Sequence, residues 1–135
     1  MNKIIEKELL NNNVVKLVIE APRIAAKRKA GHFVIVKINE KGERIPLTIA
    51  DADSKKGTIT LIIQRVGVTS HKLMLMEAGD TLMDVVGPLG HATEIENHGT
   101  ILCAGGGVGI APLLPIARAF KEAGNKVVTV LAARN

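Results

Sequence analysis

Thr100-Ile101-Leu102-Cys103-Ala104-Gly105-Gly106-Gly107-Val108-Gly109-Ile110-Ala111-Pro112 decides how the rest of the chain is read. A compact apolar run enters a glycine cluster, and Leu113, Ile116, Ala117 and Phe120 then recur at the spacing of one helical face. Pro112 suits a turn or the start of a helix, and Pro115 is tolerable only in a first turn. Gly124-Asn125 stops the helix, and Val127 to Ala132 is apolar on both faces, as in a strand covered by helices on each side. The pattern predicts strand, glycine turn, helix, strand. This is the first β-α-β of an α/β nucleotide-binding domain over residues 99–135, a domain expected to be unfinished at Asn135.

A glycine turn that opens a helix points backbone N–H groups outward and lets a pyrophosphate approach without a Cβ in the way. The strict G-x-G-x-x-G spacing is absent, because the third position falls on Ile110 or Pro112. Ala132-Ala133-Arg134-Asn135 also stands where a ribose-binding acid is usual. Taken alone, the cluster is explained equally well by a turn that needs glycine for packing.

Upstream of about residue 98 the rhythm has period two. Val15, Leu17 and Ile19 alternate with Lys16, Val18 and Glu20; Phe33, Ile35 and Lys37 alternate with Val34, Val36 and Ile38; Ile59, Leu61 and Ile63 share a face. With Arg44–Ala50 and Thr81–Val86, and with turns such as Asn39-Glu40-Lys41-Gly42, this predicts a small antiparallel barrel or sandwich over residues 1–98, which the family resemblance given below narrows to a Greek-key barrel. About six strands are expected. One short helix interrupts them, capped by Thr69 or Ser70 and stopped at Gly79-Asp80.

Two phenylalanines, with no tryptophan or tyrosine, argue against a single-stranded nucleic-acid platform. The net charge of +5 is dispersed, with 18 basic residues scattered among 13 acids, and reads as a solvated surface in preference to a nucleic-acid face. A single cysteine, Cys103, cannot form an internal disulfide, which suits a cytoplasmic setting, and it reads as a core residue of its strand. His32, His71, His91 and His98 show no metal-ligand spacing, so no metal site is expected. No leader and no membrane span are expected, since no apolar run approaches the ~20 residues a span requires.

Four segments in order, Arg44-Ile45-Pro46-Leu47-Thr48, Gly67-Val68-Thr69-Ser70, Gly87-Pro88-Leu89-Gly90 and Gly105 to Pro112, resemble the ferredoxin-NADP reductase superfamily. Within it the chain is similar to the N-terminal half of the FAD- and NAD-binding electron-transfer subunits of the sulfide dehydrogenase, dihydroorotate dehydrogenase and NADH-dependent ferredoxin-NADP reductase group. The resemblance implies that Arg44 grips the FAD pyrophosphate, and that Pro46, Leu47 and Thr48 lie along the flavin. Gln64 and Val66 pass the ring through their backbones, and Gly67, Thr69 and Ser70 serve the pyrophosphate. Gly87 to Gly90 is the turn leaving the barrel. Gly105, Gly106, Gly107, Val108, Gly109 and Pro112 receive the nicotinamide nucleotide's phosphates.

Each segment has a plainer reading beside it: a strand-end charge at Arg44, an ordinary helix cap at Thr69 or Ser70, a structural turn at Gly87. Pro46 occupies a place where many superfamily members carry an aromatic, and His32 one where glutamine is usual, which reads as a turn substitution. Ring stacking is therefore expected to come from outside this chain.

The implied function is the FAD-binding portion of an oxidoreductase subunit passing hydride and electrons between NAD(P)H, FAD and an iron-sulfur carrier. NAD(P) is expected to bind in the full-length protein, and a larger oxidoreductase subunit is the expected partner. A [2Fe-2S] cluster is not possible on one cysteine. No catalytic acid or base is expected, because the cofactors perform the chemistry. The alternatives are a flavin-free barrel serving as a docking or scaffold subunit, and a barrel binding anions or nucleic acid.

Overall fold

The structure, a computed structural model, describes residues 1–133. The chain runs β1 (Asn2–Asn11), β2 (Val14–Glu20), α1 (Pro22–Lys27), β3 (Phe33–Lys37), β4 (Ile45–Asp53), β5 (Thr58–Gln64), α2 (Val68–Leu75), β6 (Thr81–Leu82) and β7 (Asp84–Leu89). After a linker come β8 (Thr100–Gly106), a 3-10 turn (Gly107–Gly109), α3 (Ile110–Glu122) and β9 (Lys126–Ala132).

The first seven strands form one antiparallel sheet in the order β6-β1-β2-β5-β4-β3-β7. Its two edges, β6 and β7, are separated in sequence by Met83 alone. A flat sheet of this width cannot put its opposite edges one residue apart, so the sheet is rolled into a nearly closed barrel. The Met83 N–H donates to the Ile38 carbonyl beyond β3, 3.1 Å away, and helps seal the seam. The jump from β2 to β3 across β5 and β4 is the Greek-key connection.

The period-two segments fill the interior as expected. In β2 and β5, Val15 faces Ile63, Leu17 faces Leu61 and Ile19 faces Ile59 across one register, and all six side chains are at most 1% exposed. In β3 the inward residues are Val34 and Val36. Helix α1 was not foreseen; at six residues it is shorter than any window in which helical periodicity shows. Pro22 starts it, and Ile24 and Ala25 join the core cluster.

Several local expectations are corrected. Helix α2 is capped by Gly67, not by Thr69 or Ser70, and it ends at Leu75, before Gly79-Asp80. The reason for the early end is β1: Gly79 N–H donates to the Ile4 carbonyl and Ile4 N–H to the Asp80 carbonyl, each at 2.8 Å. Gly87-Pro88-Leu89 is strand, the end of β7, and the turn begins only at Gly90, whose φ is +84°. A Cβ on Gly87 would stand 2.8 Å from Val34 Cγ1, so glycine there answers to the barrel's packing.

Strands β8 and β9 pair in parallel, with α3 packed on the pair and against β4. Pro115 lies in the second turn of α3, not the first; it is buried, and its missing N–H leaves the Ala111 carbonyl without its helical donor. Leu102, Val128 and Val130 are 42–68% exposed on the sheet. The start of β9 is fixed by buried Asn125. Its Oδ1 accepts from the His98 N–H at 2.6 Å, and its Nδ2 donates to the Glu96 and Phe120 carbonyls, each at 2.9 Å. No helix among the described residues is long and apolar enough to cross a membrane.

Two substitutions test this account by urea denaturation. Leu61→Ala, at a fully buried barrel position, should destabilise by about 2–5 kcal/mol. Asn125→Ala strands the His98 N–H and the Glu96 carbonyl, while the Phe120 carbonyl keeps the Asn125 N–H, and should cost about 1–3 kcal/mol.

Candidate functional site

Strand β4 changes partners along its length. Ile45 to Thr48 pair with β3, whereas Ile49 to Asp53 pair with β5. Strand β5 pairs with β4 only over Thr58 to Leu61, while its remaining residues stay with β2. The start of β4 and the end of β5 therefore part, and the barrel opens there.

A cleft of about 320 Å³ at the opening is lined by Gly31, Phe33, Pro46, Leu47 and Thr48. Three of these were expected from the sequence. Phe33, across the register from Thr48, was not, and it brings an aromatic ring to the cleft. The signal was its place as one of two aromatics, beside Gly31, in a strand of otherwise aliphatic residues. The ring is held from behind by Gly90, where an added Cβ would stand 2.8 Å from Phe33 Cε1. His32 lies in the turn entering β3, its Nδ1 accepting from the Lys29 N–H at 3.0 Å.

A second cleft, of about 470 Å³, is lined by Arg65, Val66, Gly67 and His71. Gln64 ends β5 just before it. Val66 and Val68 are 82% and 72% exposed, an unusual state for two valines beside one glycine. Ser70 does not present its hydroxyl outward. Its Oγ accepts from the Val66 and Gly67 N–H groups at 2.9 and 3.0 Å and donates to the Gly67 carbonyl at 3.1 Å, so it shapes the loop. The Thr69 hydroxyl donates to Glu43 at 2.5 Å, tying this helix start to the residues just before β4. Arg44 reaches the other way, with Nη1 2.9 Å from Asp84 Oδ2 on β7. Glu43 and Asp84 are the residues here that sequence reasoning did not single out; the two carboxylates are separated by 26 and 40 residues from their partners, beyond any local pattern.

The glycine turn after β8 separates into distinct roles. A Cβ on Gly105 would lie 2.8 Å from Leu113 Cδ2, so this glycine permits strand–helix packing. Gly106 closes β8 and faces the Ala132 carbonyl at 3.5 Å from its would-be Cβ. Gly107 has φ +58°, a conformation that favours glycine. At Gly109, φ is −62° and a Cβ would meet nothing within 4 Å, so neither backbone nor packing demands glycine. Gly67 has the same freedom, with extended backbone and open space.

Val108 belongs to the turn by its backbone, and its side chain lies outside the described residues, as do Arg134 and Asn135, where the ribose-binding acid was sought. Pro112 is the third residue of α3 and subtracts one N–H from the helix start. The turn packs against β5, and Arg118 of α3 reaches Asp51 of β4 at 3.2 Å, which brings the turn towards the open side of the barrel. Cys103 is buried in β8. Among the described residues no three potential metal ligands cluster.

Comparison with known proteins agrees with this geometry. Residues 2–93 match the family described as the oxidoreductase FAD-binding domain. A Thermotoga maritima protein described as a homolog of the electron transfer subunit of dihydroorotate dehydrogenase B (NAD(+)) is 48% identical over 99% of this chain and 48% of its own length. The Streptococcus pneumoniae electron transfer subunit of dihydroorotate dehydrogenase B is 32% identical over 98% of this chain and 53% of its own. A solved structure of an NADH-dependent reduced ferredoxin-NADP oxidoreductase superposes with a TM-score of 0.98 at 48% identity, covering 100% of this chain and 49% of that one. Phthalate dioxygenase reductase, at 22% identity and a TM-score of 0.81, shares the fold. The chain spans about half the length of the curated relatives it matches. It belongs to the oxidoreductase FAD-binding domain family.

The contrast among the glycines is testable by thermal denaturation. Gly105→Ala should destabilise by about 1–3 kcal/mol through overlap with Leu113. Gly109→Ala, with open space around it, should change stability by no more than about 0.5 kcal/mol, and Gly67→Ala, equally unobstructed but at the N-cap of α2, should cost no more than about 1 kcal/mol.

Proposed function

We propose that this member of the FAD-binding family is the flavin-holding part of an electron-transfer subunit, with residues 1–98 as the FAD-binding barrel and residues 99–135 as the opening of an NAD(P)-binding domain. The observation that carries the reading is the coincidence of the β4–β5 opening, lined by Pro46, Leu47 and Thr48, with a family match over the same barrel. When bound, FAD supplies hydride acceptance from a nicotinamide and release of single electrons.

The chain's own residues supply binding and orientation. Phe33, Pro46 and Thr48 flank the ring cleft. Arg44 offers its forked guanidinium donors to the diphosphate. The start of α2 adds the positive end of its helix dipole, and Gly67 lets the diphosphate come against backbone. Gly109, free of any packing duty, is where the phosphates of NAD(P)H approach. No protein acid or base is required, so none of these residues is assigned proton transfer.

The electron-transfer subunits among the relatives imply a larger oxidoreductase partner and an iron-sulfur carrier. One cysteine cannot ligate a cluster, so the carrier lies outside these residues. The exposed Leu102, Val128 and Val130 suit a sheet that is extended or covered in the whole protein. A reducing, cytoplasmic setting suits the buried free thiol.

Purified protein should bind FAD and turn yellow, and Arg44→Ala should weaken FAD at least about tenfold, the loss of a charge-assisted hydrogen bond. Flavin fluorescence quenching measures both. Colourless protein that cannot be reconstituted would instead favour a flavin-free scaffold.

A further inference from the structure

Two side chains expected to serve a diphosphate, the exposed Arg44 and the largely buried Thr69, are already committed to carboxylates of the chain. Arg44 Nη1 contacts Asp84 Oδ2 at 2.9 Å, and both side chains are 40–51% exposed. Thr69 Oγ1 donates to Glu43 Oε1 at 2.5 Å. Glu43 and Arg44 are consecutive, so one dipeptide at the entry to β4 reaches α2 with its acid and β7 with its base. None of these contacts is needed to hold the barrel, whose core and strand register stand apart from them.

We infer that Asp84 and Glu43 are stand-ins for the phosphates: they occupy Arg44 and Thr69 in the free chain and give them up when a phosphate-bearing ligand enters. The inference rests on the FAD-binding reading above and assigns two residues that set the site's affinity and charge preference. A carboxylate and a phosphate oxygen compete for the same N–H and O–H donors with the same geometry. An anion arriving beside two carboxylates also meets their repulsion, so each acid weakens every ligand that carries phosphate. A ligand without phosphate exchanges nothing. The alternative, that Asp84 holds Arg44 in place for the ligand, predicts the opposite sign.

The isosteric variants Asp84→Asn and Glu43→Gln remove charge and keep shape, and both positions are at the surface. Fluorescence titrations of the whole chain with FAD and with riboflavin, at low and at high salt, separate the possibilities. Each variant should bind FAD about two- to fivefold more tightly than the unaltered chain at low salt, the range of one exposed charge–charge interaction. That gain should shrink at high salt, and riboflavin affinity should stay unchanged. Weaker FAD binding by Asp84→Asn overturns the inference and makes Asp84 a positioning residue for Arg44. Unchanged FAD binding, or an equal gain for riboflavin, overturns it as well. In those cases the unaltered chain still binds FAD and the functional reading stands. If neither the unaltered chain nor the variants bind FAD, the functional reading falls and the exchange with it. Binding by the variants alone supports the exchange.

Discussion

Met83 links the two opposite edges of the seven-stranded sheet, and the rolled shape follows from that single-residue connection. Closure removes most of the exposed strand edge that an open sheet would offer to other chains. It also creates an enclosed interior, into which β2, β3 and β5 direct aliphatic side chains at every second residue. A slip of one residue in any of these strands would turn its buried face outward. The barrel is thus held by register as much as by apolar area.

The opening is the other consequence of rolling. A nearly closed barrel must change strand partners somewhere, and β4 does so between Thr48 and Ile49. Ladder hydrogen bonding is lost on one side at that point, and the backbone and side chains of Ile45 to Thr48 become available to something else. Helix α2 and the loop braced by Ser70 sit beside the gap, and two glycines around it, Gly67 and Gly109, have no steric or conformational duty of their own. Their lack of a structural task is what separates them from Gly87 and Gly105, which neighbouring side chains require to be small.

Electrostatics at the opening is local. The net charge of +5 says nothing about it, since the residues that matter are two pairs, Arg44 with Asp84 and Thr69 with Glu43. An exposed ion pair such as Arg44 with Asp84 adds little to folding stability. Its weakness is what lets an incoming anion replace it.

The barrel, its helix α2 and the β-α-β that follows were legible in the residues, because a core forces apolar alternation on strands and helical spacing on helices. The family resemblance also drew attention to Pro46, Leu47 and Thr48, which the structure places along one cleft. Local sequence did not contain α1, which is too short to show a period, or the end of α2, which β1 imposes through Ile4. It also could not place Phe33 in the cleft, pair Asp84 with Arg44, or distinguish Gly109 from Gly105. Each of those depends on atoms brought together from strands far apart in the chain, and only the closed tertiary structure decides which of them meet.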